Sequence, residues 1–531
     1  MPFRFNVFQN AISFLLAVVL FLSIPFLAMA ETINPAGKLT PPKETFIPGD
    51  WFLGSTPPNL DPSKPPIVFV QGKNGSSTSW YGETVYHGIN DMYTKAYEAG
   101  YQTVFVQLYD AAGKGSASQY ANGELLSSLL GEISAHFGGK KVNIIAHSKG
   151  GPDTQAALIQ YGAYKYVGKV FTLGSPHYGS NLADLAYSWY AGWLGTLLGQ
   201  KDDGTYSLQT GEMAKFRSVV DKSSNLSKNK YYTIAGTNHG PAFSALSLGA
   251  AYLSSYGAND GLVNEWSAKL PYATHLFTDS TVDHDNIRMG SKVFTRMEPY
   301  LRNSSVSVAA KVRHTANPDD SESALSSSQY VNGGSLIAGN WTSDHFYIAA
   351  RTKGTVSVLT YSPDAAVEFI APDGSVYAGE QIPSIGFMEK ASTYQLDEQL
   401  LMEGEWTVRI KSPLQQDAYL LTAAFTGGQE PFVLTMKGLS KSKSDVYTLR
   451  VPASSSKKDG SLTMAVHWLD PKGNKVINSE PFKQLDSTSY QAAMPDITEA
   501  GTYNMTIDIK KMMPDGKQLQ RTIITSVYLE K

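Results

Sequence analysis

The sequence predicts an α/β fold, a doubly wound and mostly parallel sheet, followed by two all-β sandwich-like domains. Three observations carry this. Up to Arg302, short β-branched runs alternate with helix-forming runs, the pattern of a parallel sheet with helices on its faces. One such run, Val142-Asn143-Ile144-Ile145, leads into Ala146-His147-Ser148-Lys149-Gly150-Gly151 and continues as a helix-forming stretch. A serine then stands at the tip of a sharp strand-to-helix turn. Beyond Arg302 the helical runs stop. Short alternating strands take over, separated by turn signals such as Pro372-Asp373-Gly374.

At 531 residues the chain exceeds one ordinary core. Its net charge of −3 argues against a nucleic-acid binder and gives no strong attraction to membranes. Arg4 followed by the apolar run Ala11 to Leu27 and the small-residue site Ala28-Met29-Ala30 reads as a signal peptide over 1–30, cleaved near Ala30. A membrane anchor is the competing reading, opposed by Pro25 and the cleavage site. The expected location is therefore secreted, extracellular. With no cysteine, the chain has no disulfides to stabilise it.

Residues 31–65, rich in Pro, Gly, Asn and Thr, predict an extended leader, and 66–302 the first domain. Within it Pro66 to Val70 reads as a buried strand ended by the polar loop Gln71-Gly72-Lys73-Asn74-Gly75. Helical material is expected over Val85 to Ala99, then a strand at Gln102 to Val106 and a helix at Ser118 to Phe137 with Leu125, Leu126, Leu129, Leu130 and Ile133 on one stripe. Further strands are Lys169 to Leu173, ending in Gly174-Ser175-Pro176-His177, and Tyr231 to Gly236. Leu182, Leu185, Trp189, Trp193 and Leu197 recur at three- and four-residue steps, which predicts one aromatic helical stripe; the glycines around it suggest a lid.

Ser148 at the turn, Asp260 in Asn259-Asp260-Gly261 and His284 in Val282-Asp283-His284 follow in the order nucleophile, acid, base, each after a strand-like run. A serine hydroxyl is a weak nucleophile, so a histidine must take its proton and an acid must orient that histidine. The backbone N–H groups of Lys73 and Lys149 are the candidates for an oxyanion hole. His275 competes for the base but sits in a strand-like run. Asp283 and Asp285 compete for the acid but adjoin His284. His177 could line the cleft or pack in a loop, and His147 is expected beneath the turn.

These segments resemble the secreted bacterial triacylglycerol lipases and esterases of the α/β-hydrolase superfamily. Lys141 to Pro152 is similar to the family's nucleophile segment, Thr172 to Ser180 to its strand end, Asn259 to Val263 to its acid turn and Val282-Asp283-His284 to its histidine loop. The resemblance covers about 66–300 and implies catalysis by Ser148, Asp260 and His284. Two departures stand out: Gln71-Gly72 replaces the usual His-Gly, and Ala146 replaces glycine. The chemistry requires no cofactor. Many relatives place a calcium ligand two residues after the histidine; here that residue is Asn286, an amide without charge and a poor match for a hard divalent ion.

Residues 303–340, rich in Ser, Ala, Asn and Gly, predict a linker with some strand content; 341–429 a β-sandwich module; and 430–531 a second module whose Gly501-Thr502-Tyr503 resembles an immunoglobulin-like strand. Nothing catalytic stands out there. Attachment to a cell surface, polymer or partner competes with passive spacing. The expected activity is hydrolysis of a lipid or other ester. Its alternatives are a short-chain carboxylesterase, polyester depolymerase or acyltransferase with the same residues, or a non-catalytic surface-binding protein.

Overall fold

A computed structural model of the chain describes residues 46–112, 116–198, 201–302, 323–382, 391–426, 432–436, 446–451, 462–476, 482–495, 499–513 and 515–530. The expected signal peptide, 1–30, lies outside the described residues. Among those described, no helix is long and apolar enough to cross a membrane.

Seven strands, β1 (Trp51–Leu53), β2 (Ile67–Val70), β3 (Thr103–Val106), β4 (Val142–His147), β5 (Val167–Leu173), β6 (Lys230–Gly236) and β7 (Thr274–Asp279), form one sheet in the order β1-β3-β2-β4-β5-β6-β7. All neighbours are parallel except β1, which pairs antiparallel with β3. The end of the expected leader is thus an edge strand, with Trp51 opposite Val106.

Both faces of the sheet are covered. Val68 and Val70 point to one face, with Ile144, Leu126, Leu130 and Phe216; Ile67 and Phe69 point to the other, with Phe105, Phe171, Met92 and Phe294. Burial on both faces is why these strands read as continuous apolar runs, each such side chain contributing about 1.5–3 kcal/mol. The covering helices include α1 (Met92–Glu98), α2 (Gln119–His136) and α3 (Gly150–Ile159). Ser118 caps α2 by accepting the Ala121 N–H at 3.3 Å. The helix expected from Val85 begins only at Met92, because Thr84 and Gly88 close a turn and Asn90 Oδ1 accepts the Met92 N–H.

Between β5 and the chain's second half come α4 (Asn181–Ala186), α5 (Gly192–Leu197), α6 (Asp203–Ser207), α7 (Thr210–Val220), α8 (Ala245–Leu253) and α9 (Gly290–Arg302). The single stripe expected over Leu182 to Leu197 is two helices. The first ends at Ala186, and Ser188 Oγ accepts the Ala191 N–H in the turn before the second begins. Leu182 and Leu185 are buried, Leu197 is partly buried, Trp189 lies in the break, and Trp193 is 67 % exposed.

The second half is two sandwiches. Strands β8 (Ser323–Ser327), β9 (Gln329–Leu336), β10 (Trp341–Ile348), β11 (Thr352–Thr360), β12 (Ala366–Ile370), β13 (Val376–Ala378), β14 (Glu380–Ile382), β15 (Ser392–Leu401), β16 (Gly404–Lys411) and β17 (Asp417–Thr426) come first. Sheets β10-β16-β12-β13 and β14-β15-β11-β17-β9 enclose Phe346, Val358, Trp406 and Leu421. The strands β18 (Phe432–Met436), β19 (Val446–Arg450), β20 (Leu462–Leu469), β21 (Lys483–Gln484), β22 (Ser489–Ala493), β23 (Gly501–Met512) and β24 (Gln518–Leu529) complete the second sandwich. Its sheets, β21-β22-β19-β18-β8 and β20-β23-β24, enclose Leu434, Tyr447, Trp468 and Ile523. The strand content expected in the 303–340 linker is built into the sandwiches rather than lying between domains. Its 323–336 stretch supplies β8 to the second sandwich and β9 to the first, while 303–322 lies outside the described residues.

One apolar cluster joins the halves. Leu185 of α4, Leu194 of α5 and Leu253 of α8 pack with Val331, Leu359 and Leu420 of the first sandwich and Ile524 of β24.

Candidate active site

Strand β4 ends at His147 and α3 begins at Gly150, and Ser148 between them is held at φ +52°. That left-handed conformation is strained for a residue with a side chain, and here it lifts the hydroxyl off the sheet edge. A Cβ on Gly72 would lie 2.8 Å from Ser148 Cβ, so only glycine lets the β2 loop approach this closely. The Ala146 methyl, where glycine is usual in relatives, is absorbed by the buried cluster under the sheet.

The Ser148 hydroxyl donates to His284 Nε2 at 2.9 Å, and His284 Nδ1–H donates to Asp260 Oδ2 at 2.9 Å. Asp260 Oδ1 accepts the N–H groups of Val263 at 2.8 Å and Leu262 at 3.1 Å, and its carbonyl accepts the His284 N–H. The acid is fixed on both sides, and the three residues stand in line. His147 Nε2–H donates to the His284 carbonyl at 2.9 Å, and burial holds its pKa well below the ordinary histidine range.

The competing residues are engaged elsewhere. His275 lies in β7 between the Thr233 and Thr278 hydroxyls. Asp283 accepts His87 Nε2–H at 2.7 Å; Asp285 accepts the Tyr86 N–H and pairs with Arg288. His177 is fully buried between Thr172 and Gln155 and does not reach the cleft.

The Lys73 and Lys149 backbone N–H groups donate to no acceptor among the described residues. Gln71 anchors the preceding turn: its amide donates to the Val106 carbonyl at 3.0 Å and accepts from the Leu108 N–H at 2.8 Å. The Lys149 side chain turns inward and is completely buried, its Nζ 2.9 and 3.0 Å from the Asp153 carboxylate and 3.7 Å from Asp110. Asn122 bridges both acids, at 2.5 Å to Asp110 and 2.9 Å to Asp153. Burial outweighs the lysine and pushes Asp153 up to about 7. The sequence reading missed this cluster, and also His87 and Arg288. The only signal in the sequence was the i, i+4 spacing of Lys149 and Asp153.

Ser148 and His284 open onto a cavity of about 170 Å³. Leu182, Ala183, Ala186, Leu208, Leu262 and Val263 form its apolar wall, and Asn74, Ser79 and Arg288 its polar one. The expected lid residues are therefore divided in use. Leu182 faces the cavity, Leu185 joins the cluster shared with the sandwiches, and Trp189 stacks on His467 of the second sandwich at 4.5 Å.

Asn286 Oδ1 accepts the Asp283 N–H, and the neighbouring carboxylates are taken by His87 and Arg288. Among the described residues, no group of three or more His, Cys, Asp or Glu is arranged to hold a metal.

Fold and site together define the α/β-hydrolase class. No protein-family model matches the sequence. The chain is 31 % identical to the Bacillus licheniformis lipase BlEst2 in its propeptide form, over 91 % of this chain and 98 % of that one, with a TM-score of 0.72. The mature form of the same lipase matches at 47 % identity over 48 % of this chain and 99 % of that one, with a TM-score of 0.44. A triacylglycerol lipase of Vibrio cholerae is 35 % identical over 123 residues, 23 % of this chain; the match spans about a third of that relative, 35 % of its length. The chain belongs to the bacterial lipase and esterase family of the α/β-hydrolase superfamily.

Proposed function

We propose that the chain is a secreted serine hydrolase that cleaves lipid carboxylic esters through an acyl-enzyme on Ser148. The observation that carries this is the pair of 2.9 Å hydrogen bonds, Ser148 to His284 and His284 to Asp260, at the mouth of an apolar cavity. His284 takes the serine proton as Oγ attacks the ester carbonyl, and Asp260 stabilises the imidazolium. The developing oxyanion is held by the Lys73 and Lys149 amides, each donor contributing about 3 kcal/mol. His284 then protonates the leaving alcohol, and water releases the acid by the reverse sequence. The acyl chain lies along Leu182, Leu208, Leu262 and Val263. No step requires a metal or cofactor.

For the β-rich half we propose the role of a pro-segment that holds the lid helices, by analogy with the relative solved in a propeptide form. Its support is the apolar cluster shared by α4, α5, α8 and both sandwiches. Attachment to a surface or polymer is the competing role.

The test is hydrolysis of p-nitrophenyl esters from acetyl to palmitoyl by the protein and its Ser148→Ala variant. Loss of about 10⁴-fold or more in the variant upholds the assignment. Preference for long chains marks a lipase, and activity on short chains alone marks the carboxylesterase alternative. No turnover by the folded protein on any ester overturns the proposal.

A further inference from the structure

We infer that Asp202 is a positioning residue for the oxyanion loop, tying the segment over the cavity to Lys73, whose backbone amide is proposed above as an oxyanion donor. The inference rests on the ester-hydrolase proposal above and deepens it.

Lys73 Nζ lies 3.0 Å from Asp202 Oδ2, and each side chain is only 16 % exposed. The other carboxylate oxygen accepts the Thr205 N–H at 2.7 Å and so caps α6. The Asp202 carbonyl accepts the Tyr187 hydroxyl at 3.1 Å, just after α4. One residue therefore joins the oxyanion loop, the helix that brings Thr205 and Leu208 to the cavity, and the end of the helix packed on β24.

A second route runs to the same segment. The Gly204 N–H donates to the Ser116 carbonyl at 2.8 Å, and the Ser116 hydroxyl donates to Asp110, which faces Lys149 Nζ. The two residues whose amides would hold the oxyanion, Lys73 and Lys149, thus reach residues 202–208 independently.

The physical need is preorganisation. The loop Gly72-Lys73-Asn74-Gly75 has two glycines, Asn74 sits at φ +55°, and a single turn bond, Gly75 N–H to the Gly72 carbonyl at 3.1 Å, closes it outside any helix or strand. An oxyanion donor is effective only where it stands before the reaction, and an error of about 1 Å can lose 10²-fold in rate. An ion pair largely shielded from water is weakly screened by salt and can hold such a loop.

Asp202→Asn separates this role from capping, because asparagine caps a helix as well as aspartate does. The measurements are kcat and KM for p-nitrophenyl butyrate, the rate of inactivation by a p-nitrophenyl alkylphosphonate, whose phosphoryl oxygen occupies the oxyanion position, and the thermal midpoint. Asp202→Asn should lower kcat and the inactivation rate together by about 10–100-fold, with KM within about twofold and the midpoint nearly unchanged. Asp202→Glu should recover most of the rate. Lys73→Met should match Asp202→Asn, and the double variant should be no slower than either single one. A kcat for Asp202→Asn within about twofold of the parent, or losses that multiply in the double variant, overturns the positioning role while leaving ester hydrolysis intact. If the parent cleaves no ester, both proposals fall.

Discussion

His147 Nε2–H donates to the backbone carbonyl of His284 at 2.9 Å, so the residue before Ser148 supports the loop that carries its hydrogen-bond partner. The two rings lie 4.9 Å apart, and burial keeps His147 neutral. His147→Phe keeps an aromatic body but leaves the His284 carbonyl without its donor. An unpaired buried acceptor costs about 1–3 kcal/mol, part of which should appear as displacement of His284. The expected result is a kcat lower by about 10-fold or more with KM little changed. Full activity would show that the loop is held without this bond.

Asp260→Asn tests the acid. Asp260 Oδ1 takes two backbone N–H groups and Oδ2 takes His284, so an asparagine can keep its place only by turning its NH₂ toward the imidazole. His284 would then hold its proton on the nitrogen facing Ser148 and could not act as base. A fall in kcat of about 10³–10⁴-fold is expected, with the fold unchanged by circular dichroism. A loss below about tenfold would return the role to Asp283 or Asp285.

Lys149→Met concerns stability rather than chemistry. The lysine is, among the described residues, the cation between the buried carboxylates of Asp110 and Asp153. Removing one partner of such a cluster typically destabilises by about 3–5 kcal/mol, because the remaining charges lose their compensation. Chemical denaturation should show that loss near neutral pH. Asp153 is already raised to about 7, so the deficit should shrink as acid protonates it. A deficit constant with pH would mean that Asp153 is uncharged in the parent.

The order Ser148, Asp260, His284 was legible because Ser148 and His284 directly follow strands of one parallel sheet and Asp260 lies after α8 in the connection from β6 to β7, where functional loops gather by topology. What surrounds them was not. The Lys149 cluster depends on Asn122, which reaches it through packing of α2 on α3, and on Asp110 in the turn after β3, both distant in sequence. Periodicity carried the expected lid across Ser188, although α4 has ended by then and the Ser188 hydroxyl accepts the Ala191 N–H in the turn before α5. Helix α8 is apolar nearly all round and offered no period to detect. The split between β8 and β9 is set by distant partners, Phe432 to Met436 and Asp417 to Ala424, that local composition cannot indicate.

Asp184 should make the hold of the β half on the lid depend on pH. It is fully buried in α4, where Oδ1 accepts Ser526 Oγ–H of β24 at 2.5 Å and the Thr210 N–H at 3.0 Å. Oδ2 accepts the Thr210 hydroxyl at 2.7 Å and Asn181 at 3.2 Å. Glu212 on α7, bonded to Thr502, is likewise raised by burial, and Tyr252 and Tyr256 face the site from α8 and the turn after it. Burial, only partly offset by these donors, pushes Asp184 up to about 6. Because the packed value lies above the ordinary carboxylate value of about 4, the protonated form favours packing. The contribution is fully present below pH of about 4 and is lost as pH rises through about 6, a term on the order of 3 kcal/mol. Asp184→Asn cannot titrate. The thermal midpoint of the parent should fall relative to the variant as pH rises between these values and run parallel to it above them. Parallel curves across the whole range would show that Asp184 does not couple packing of the β half to pH.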